Sequence, residues 1–311
     1  MTQTIPGLHH VTAISGPPQA NLDFYVRDLG QRLLKRTVNF DDPGTYHLYY
    51  GDRDAAPGSI LTFFPFMDAG PGRAGPGMAS AVAYAVADLD ARMEQLATDA
   101  IDFEGPWTRM GERGIALKDP HGLRVELVEG GLGDDGFHSV TLWLKDVEPT
   151  TRILEAMGYE RLGVEEVATA GTGGHERRRR FRSGAPERAS VVDLITSDAP
   201  SIGRPGAGTI HHVAFRAPTP EDQAAWRERL TAIGLEVTPV IDRQYFDAIY
   251  FRTPGSVLFE IATDPPGFAV DEDADHLGEA LKLPPQYEPH RAQIERILPE
   301  LKLPRQSGAA A

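Results

Sequence analysis

Cysteine is absent from this chain of 311 residues. Its absence excludes disulfide bridges, zinc–thiolate sites, iron–sulfur clusters and cysteine nucleophiles. Long hydrophobic runs are missing too. No stretch approaches the ~18 consecutive apolar residues that a membrane span requires. The start, Met1 to Pro6, has neither the basic nor the apolar segment of a secretory leader. Positive charge is scarce: 31 Lys and Arg face 45 Asp and Glu, for a net charge of −14. Nucleic acid is therefore not an expected partner, because phosphate binding needs a basic surface. The single basic run, Arg177 to Arg180 with Arg182, reads as a solvated strand or loop face on so acidic a background. A cytoplasmic setting is the expectation for a cysteine-free chain with no leader.

What is present is ordinary for a soluble globular protein, with 41% hydrophobic and 24% charged residues. The length suits about two domains. The informative feature is repetition. Leu8-His-His-Val-Thr12 and Ile210-His-His-Val-Ala214 are near copies, Phe137-His-Ser-Val-Thr141 is a third and Ala79-Ser-Ala-Val-Ala83 a fourth. The module ends recur as well: Pro57-Gly-Ser-Ile-Leu-Thr-Phe63, Pro120-His-Gly-Leu-Arg-Val-Glu126 and Pro254-Gly-Ser-Val-Leu-Phe-Glu260, with Ser190-Val-Val-Asp-Leu194 fainter.

Each start is followed by a helical pattern, at Gln19 to Leu34, Asp88 to Ala97, Thr150 to Met157 and Glu221 to Ile233. Period-two segments such as Tyr46 to Tyr50 and Ala248 to Phe251 then read as strands. The pattern predicts an α+β chain of four β-α-β-β-β modules, at about 8–66, 79–130, 136–197 and 208–264. The glycine-rich join at 130–136 divides it into 1–134, with two modules, and 135–311, with two modules and a tail. In the tail, Pro289 to Leu301 reads as an amphipathic helix with Ile294, Ile297, Leu298 and Leu301 on one side, and Gln306 to Ala311 as disordered.

Two positions per module are expected to face inward: the second residue of the His-His start and the Glu position of the last strand. Module one holds His10 and Phe63 there, module two Ala81 and Glu126, module three Ser139 and Leu194, module four His212 and Glu260. Only modules one and four supply imidazoles. Together they give His10, His212 and Glu260, with Phe63 closing the fourth position, whereas Glu126 alone cannot hold a divalent ion. One metal site is therefore expected, where module one packs on module four. Two imidazoles and a carboxylate suit Fe(II) or Mn(II) and leave about three positions open; zinc accepts the same ligands. Neighbours on a strand point to opposite faces. His9 and His211 should then lie on the helix-packed side or orient their neighbours by hydrogen bonds.

These residues resemble the vicinal oxygen chelate superfamily, and within it the ring-cleaving dioxygenases that act on hydroquinones. The resemblance runs from Leu8 to about Asp264 and into the tail. It is carried by the two His-His starts, Tyr46-His-Leu-Tyr-Tyr-Gly51, and Asp242-Arg-Gln-Tyr-Phe246 with Tyr250. It implies modules paired into open barrels, with His10, His212 and Glu260 as iron ligands and a small aromatic diphenol plus O2 as substrates. It also implies that His9, Thr12, His211, Arg243 and Tyr250 surround the reacting groups, with His9 and His211 lining the pocket through a local strand distortion. On their own, Arg243 reads as a surface ion-pair former and Tyr250 as a strand aromatic. With the resemblance, Arg243 would stabilise negative charge and His9, His211 or Tyr250 would handle protons.

Two other readings use the same fold: a glyoxalase-type lyase or isomerase, which needs a fourth protein ligand, and a quinone- or drug-binding protein without turnover. The ring substituents are expected to depend on loops such as Asp68 to Met78 and Ala168 to Glu176. Whether the chain forms a homo-oligomer is left open by the sequence.

Overall fold

The computed structural model describes residues 4–130, 136–168, 175–198 and 200–303. Four β-α-β-β-β modules follow one another as expected. Module one comprises β1 (Leu8–Ser15), α1 (Pro18–Asp23), β2 (Arg32–Asn39), β3 (Asp42–Gly51) and β4 (Ile60–Pro65). Module two comprises β5 (Met78–Val86), α2 (Leu89–Thr98), β6 (Glu104–Arg109), β7 (Glu112–Lys118) and β8 (Arg124–Glu129). Module three has β9 (Phe137–Trp143), α3 (Glu148–Ala156), β10 (Tyr159–Ala168), β11 (His175–Ser183) and β12 (Val191–Ser197). Module four has β13 (Thr209–Ala217), α4 (Pro220–Ala232), β14 (Ile241–Asp242), β15 (Phe246–Arg252) and β16 (Leu258–Pro266). No helix among the described residues is long and apolar enough to cross a membrane.

Local chemistry sets the helix limits. Asp88 caps α2 by accepting from the Ala91 N–H, and Thr219 caps α4 by accepting from the Asp222 N–H, with Pro220 at the first turn. The first helix is shorter than its sequence pattern suggests. It passes into one π turn, Phe24–Asp28, and then Gly30 turns the chain at φ 73°. Residues 32–34 are strand, not helix, because Leu33 pairs with Tyr50 in a ladder that buries both. The tail helix α5 (Arg291–Ile297) is also shorter than expected. Ile294 and Leu298 are buried, but Ile297 faces solvent. Residues 306–311 lie outside the described residues.

The modules form two eight-stranded sheets, ordered β14-β15-β16-β13-β1-β4-β3-β2 and β10-β11-β12-β9-β5-β8-β7-β6. In each, two modules join by antiparallel pairing of their first strands, β1 with β13 and β5 with β9, and each first strand runs parallel to the last strand of its own module. Module one thus pairs with four, and two with three. Each sheet draws on both sides of the glycine-rich join, of which 131–135 lie outside the described residues. The helix-covered faces share one core, in which Val11, Val82, Val140 and Val213 sit with Leu22, Leu96, Leu154 and Trp226. Alternation turns the other residues of β1 and β4 to the inner face of the first sheet, which carries a smaller cluster around Ile60, Tyr49, Phe246 and Ala248.

The basic run is only half solvated, contrary to the reading from sequence. It is strand β11, and period-two alternation buries Arg178 and Arg180. Both bind Asp193, Arg178 through Nη1 at 2.8 Å and Arg180 through Nε at 2.8 Å. The strand alternates between faces, so a run of arginines is not one surface.

The tail covers edge strand β2. Lys282 N–H donates to the Arg36 carbonyl at 2.9 Å. Gly278 passes so close that a Cβ there would lie 2.3 Å from the Leu33 carbonyl oxygen. The fully buried Lys35 ammonium fastens the crossing, donating to Asp271 at 2.6 Å and Glu272 at 2.5 Å beneath the Tyr245 ring. Removing one partner of a buried ion pair strands the other. Lys35→Met should therefore lower unfolding free energy by about 3 kcal/mol, measured by urea denaturation. Unchanged stability would mean that the clasp does not hold the tail.

Candidate metal centre

β16, β13 and β1 are consecutive in the first sheet, and each places one side chain on its inner face: Glu260, His212 and His10. The three are buried, and their ligand atoms all lie within 4.8 Å of one another. His212 Nε2 is 2.9 Å and His10 Nε2 3.5 Å from Glu260 Oε2, and the two Nε2 atoms are 3.4 Å apart. No other such cluster of His, Asp or Glu occurs among the described residues. Both Glu260 oxygens lack a hydrogen-bond donor in bonding geometry. Burial would raise its pKa, but the imidazoles of His10 and His212 outweigh that and hold the carboxyl well below its usual range. A fully buried, ionised carboxylate facing two imidazole nitrogens is a donor set that fits a divalent cation.

The paired histidines act together because the strand is distorted at each. Leu8 pairs with Phe215 and His10 with Ala214, so His9 is an extra residue in β1. Thr12 pairs with His212 and Ala13 with Ile210, so His211 is an extra residue in β13. These two bulges cancel strict alternation. His9 Nδ1 comes to 2.9 Å from His10 Nδ1, and His211 Nδ1 to 2.8 Å from His212 Nδ1. In each pair one nitrogen must donate. If His10 and His212 donate through Nδ1, their Nε2 lone pairs are left for a metal. His211 lies at the cavity rim, whereas His9 sits behind His10, hydrogen-bonded to the Thr263 backbone, and does not line the cavity.

That cavity has a volume of about 450 Å³ and opens over the triad. Thr12, Arg243 and Tyr250 line it. Tyr250 pairs with Glu260 across β15 and β16. Its hydroxyl accepts from Arg243 Nε at 3.2 Å, and Arg243 Nη1 reaches Asp41 at 3.4 Å across the rim. The walls are apolar, from Phe64, Phe66, Phe246 and Leu258. The rim comes from the β2–β3 turn, Asn39 to Asp41. Of the loops expected to shape the pocket, 68–78 does not line it, and 169–174 lie outside the described residues.

Sequence reasoning missed His47, Tyr49 and Thr62. The signal was there: His47 and Tyr49 sit at alternate positions of β3, on the face opposite Tyr46, Leu48 and Tyr50. It also misplaced one slot. Thr12 pairs with Thr62 as Ala214 pairs with Glu260, and Thr141 with Asp193. The positions equivalent to Glu260 are therefore Thr62 and Asp193, not Phe63 and Leu194. Phe63 and Leu194 face the shared core.

In the second sheet the corresponding positions hold Ala81, Ser139, Glu126 and Asp193. No imidazole is present there. Glu126 is held by Arg109 and Arg124 at 2.8 Å each, and Asp193 by Arg178 and Arg180. Ion pairs occupy that half, which explains why two like sheets carry one candidate centre.

A family model for the Glyoxalase/Bleomycin resistance protein/Dioxygenase superfamily matches residues 7–127 and 136–271. The chain belongs to that superfamily. It is 44% identical to the Bacillus subtilis protein named "Putative ring-cleaving dioxygenase MhqO", over 96% of this chain and 97% of that one. It is 31% identical to the Sphingobium indicum "Chlorohydroquinone/hydroquinone 1,2-dioxygenase", over 96% and 97%. A crystal structure of a Bacillus subtilis protein described as a "putative dioxygenase" superposes with a TM-score of 0.85 at 42% identity, covering 97% of this chain and 99% of that one.

His10→Ala should lose stoichiometric metal after anaerobic loading, read by elemental analysis, while retaining the far-ultraviolet circular dichroism of the parent. Burial, aided by the His10 ring, pushes the His9 pKa from 6.5 down to about 3. The unfolded chain therefore takes up a proton near pH 6.5 that the folded one refuses until about pH 3. Stability of the metal-free protein should be full above that window and fall as pH drops through it. Thermal melts at neutral and mildly acidic pH should show a loss that His9→Gln reduces.

Proposed function

We propose that this protein is a ring-cleaving dioxygenase that inserts O2 into a hydroquinone-type para-diphenol, with Fe(II) held by His10, His212 and Glu260. The observation that carries this reading is a buried three-ligand set that opens into an aromatic-walled cavity of about 450 Å³. Such a volume lies within the ordinary range for small-molecule sites. The names borne by the relatives point to the same chemistry.

The metal would supply Lewis acidity toward a phenolic oxygen and open positions for substrate and dioxygen. Mn(II) takes the same ligands and is the competing ion. The residues supply the rest. Phe64, Phe66 and Phe246 enclose a flat ring and exclude water. Arg243 places a permanent positive charge beside the cavity, where negative charge on the substrate is stabilised. The Tyr250 hydroxyl, which burial and the Glu260 carboxylate keep protonated far above its ordinary range, is a hydrogen-bond donor. His211, at the rim, is pushed down to about 4 by burial and the His212 ring, so it is neutral at neutral pH; with its Nδ1 accepting from His212 it presents an Nε2–H donor to the cavity. His9 orients His10 from behind.

A glyoxalase-type reaction needs a second carboxylate in the slot of module one. That slot holds Thr62, whose hydroxyl is bonded to Thr12 and His47. The ligand count therefore favours oxygen chemistry. Wild-type protein loaded anaerobically with Fe(II) should consume O2 when given hydroquinones. Glu260→Ala should reduce uptake to background, and Arg243→Met should lower kcat/KM by roughly a hundredfold. No uptake with any diphenol, with either metal, would overturn the proposal.

A further inference from the structure

Module one carries four side chains linked in series behind and along the cavity wall. Thr12 Oγ1 is 2.9 Å from Thr62 Oγ1, which is 2.8 Å from His47 Nε2, and His47 Nδ1 is 2.9 Å from the Tyr49 hydroxyl. The chain crosses from β1 through β4 to β3, two interstrand gaps of about 4.8 Å each. All four residues are buried. Thr12, His47 and Tyr49 line the cavity, and Thr62 does not.

Burial pushes the His47 pKa well below its ordinary value, with the rings of His10 and His212 adding to the effect. The imidazole is then neutral and carries one N–H. Each hydroxyl carries one proton as well. Four protons serve three links, so one is always spare. It sits on Thr12 when the links run one way and on Tyr49 when they run the other. The end without the spare proton presents only a lone pair. The chain thus never offers a ligand two donors: when one end donates, the other can only accept.

We propose that the Thr12–Thr62–His47–Tyr49 chain recognises the second hydroxyl of a para-diphenol, by matching a ligand that is an acceptor at the metal end and a donor at the other. The proposal rests on the diphenol reading above. Thr12 lies opposite His212 in the β1–β13 register and two residues after His10, at the metal end. A singly deprotonated diphenol bound there presents a phenolate oxygen to Thr12. Thr12 donates to it, Thr62 donates to Thr12, His47 Nε2–H donates to Thr62, and the Tyr49 hydroxyl donates to His47 Nδ1. The Tyr49 oxygen is left as an acceptor for the free hydroxyl of the substrate. In 4-methoxyphenol that position is an ether, which has no proton to give. Its oxygen then faces a lone pair, or the chain reverses and Thr12 no longer donates to the phenolate. Either way a buried polar group goes unpaired.

The test is anaerobic calorimetry of hydroquinone and of 4-methoxyphenol binding to Fe(II)-loaded wild-type, Tyr49→Phe and Thr62→Val proteins. Wild type should prefer hydroquinone by roughly tenfold or more. Tyr49→Phe keeps the ring in its packing and should bring the preference close to unity. Thr62→Val touches no ligand, yet it should also shrink the preference, because cutting the chain lets Tyr49 turn its proton outward while Thr12 keeps its own. A preference unchanged in both variants, or none in wild type, overturns the proposal. Oxygen uptake separates the two readings. Binding with the stated preference but no O2 consumption sinks ring cleavage and leaves recognition standing. Consumption with an unchanged preference does the reverse.

Discussion

The antiparallel pairing of β1 with β13 is the constraint on which the site depends. It brings residues two hundred positions apart into one ladder, and it sets His10 and His212 on one face beside Glu260 of the next strand. The two bulges in that ladder are as important as the pairing. A regular strand would turn His9 and His211 to the helix-covered face, where two polar rings would interrupt an apolar core. The extra residue at each position lets the neighbouring rings meet instead. His10 and His212 then each have a partner on Nδ1 and turn Nε2 toward Glu260.

The same architecture in the second sheet shows what the pairing alone does not provide. The β5–β9 ladder shifts register at corresponding points, between Ala79 and Ala81 and between Ala83 and Tyr84. Ala81 and Ser139 supply no ligand, however, and the remaining carboxylates, Glu126 and Asp193, are neutralised by arginines. Duplicated geometry with different side chains gives a candidate centre in one half and a buried ion-pair network in the other.

Much of this was legible in the sequence because the repeats are modular. The four starts and four ends set the order of strands and helices, and the double His-His with Glu260 selected the cluster that the fold assembles. What was not legible has physical causes. A one-residue offset in matching module ends exchanged Thr62 for Phe63, because strand alternation makes a single step decide between cavity and core. The distortion at His9 was anticipated, but its result was not: the bulge brings His9 against His10 without bringing it into the cavity. The first helix is shorter than its pattern suggests because Leu33 and Leu34 fit helical spacing, while the Gly30 turn and the pairing with β3 fix them in a strand. The tail clasp at Lys35 and the hydrogen-bonded chain at His47 depend on contacts between distant segments, which no local pattern encodes.

Ring cleavage at this site requires one divalent metal bound between modules one and four, where the single His/Asp/Glu cluster among the described residues lies. Anomalous diffraction at the iron edge from crystals grown anaerobically with Fe(II) tests it most directly. A single peak per chain is expected, bonded to His10 Nε2, His212 Nε2 and a Glu260 carboxylate oxygen. A peak beside Glu126 and Asp193, or one ligated by His9 or His211, would contradict it.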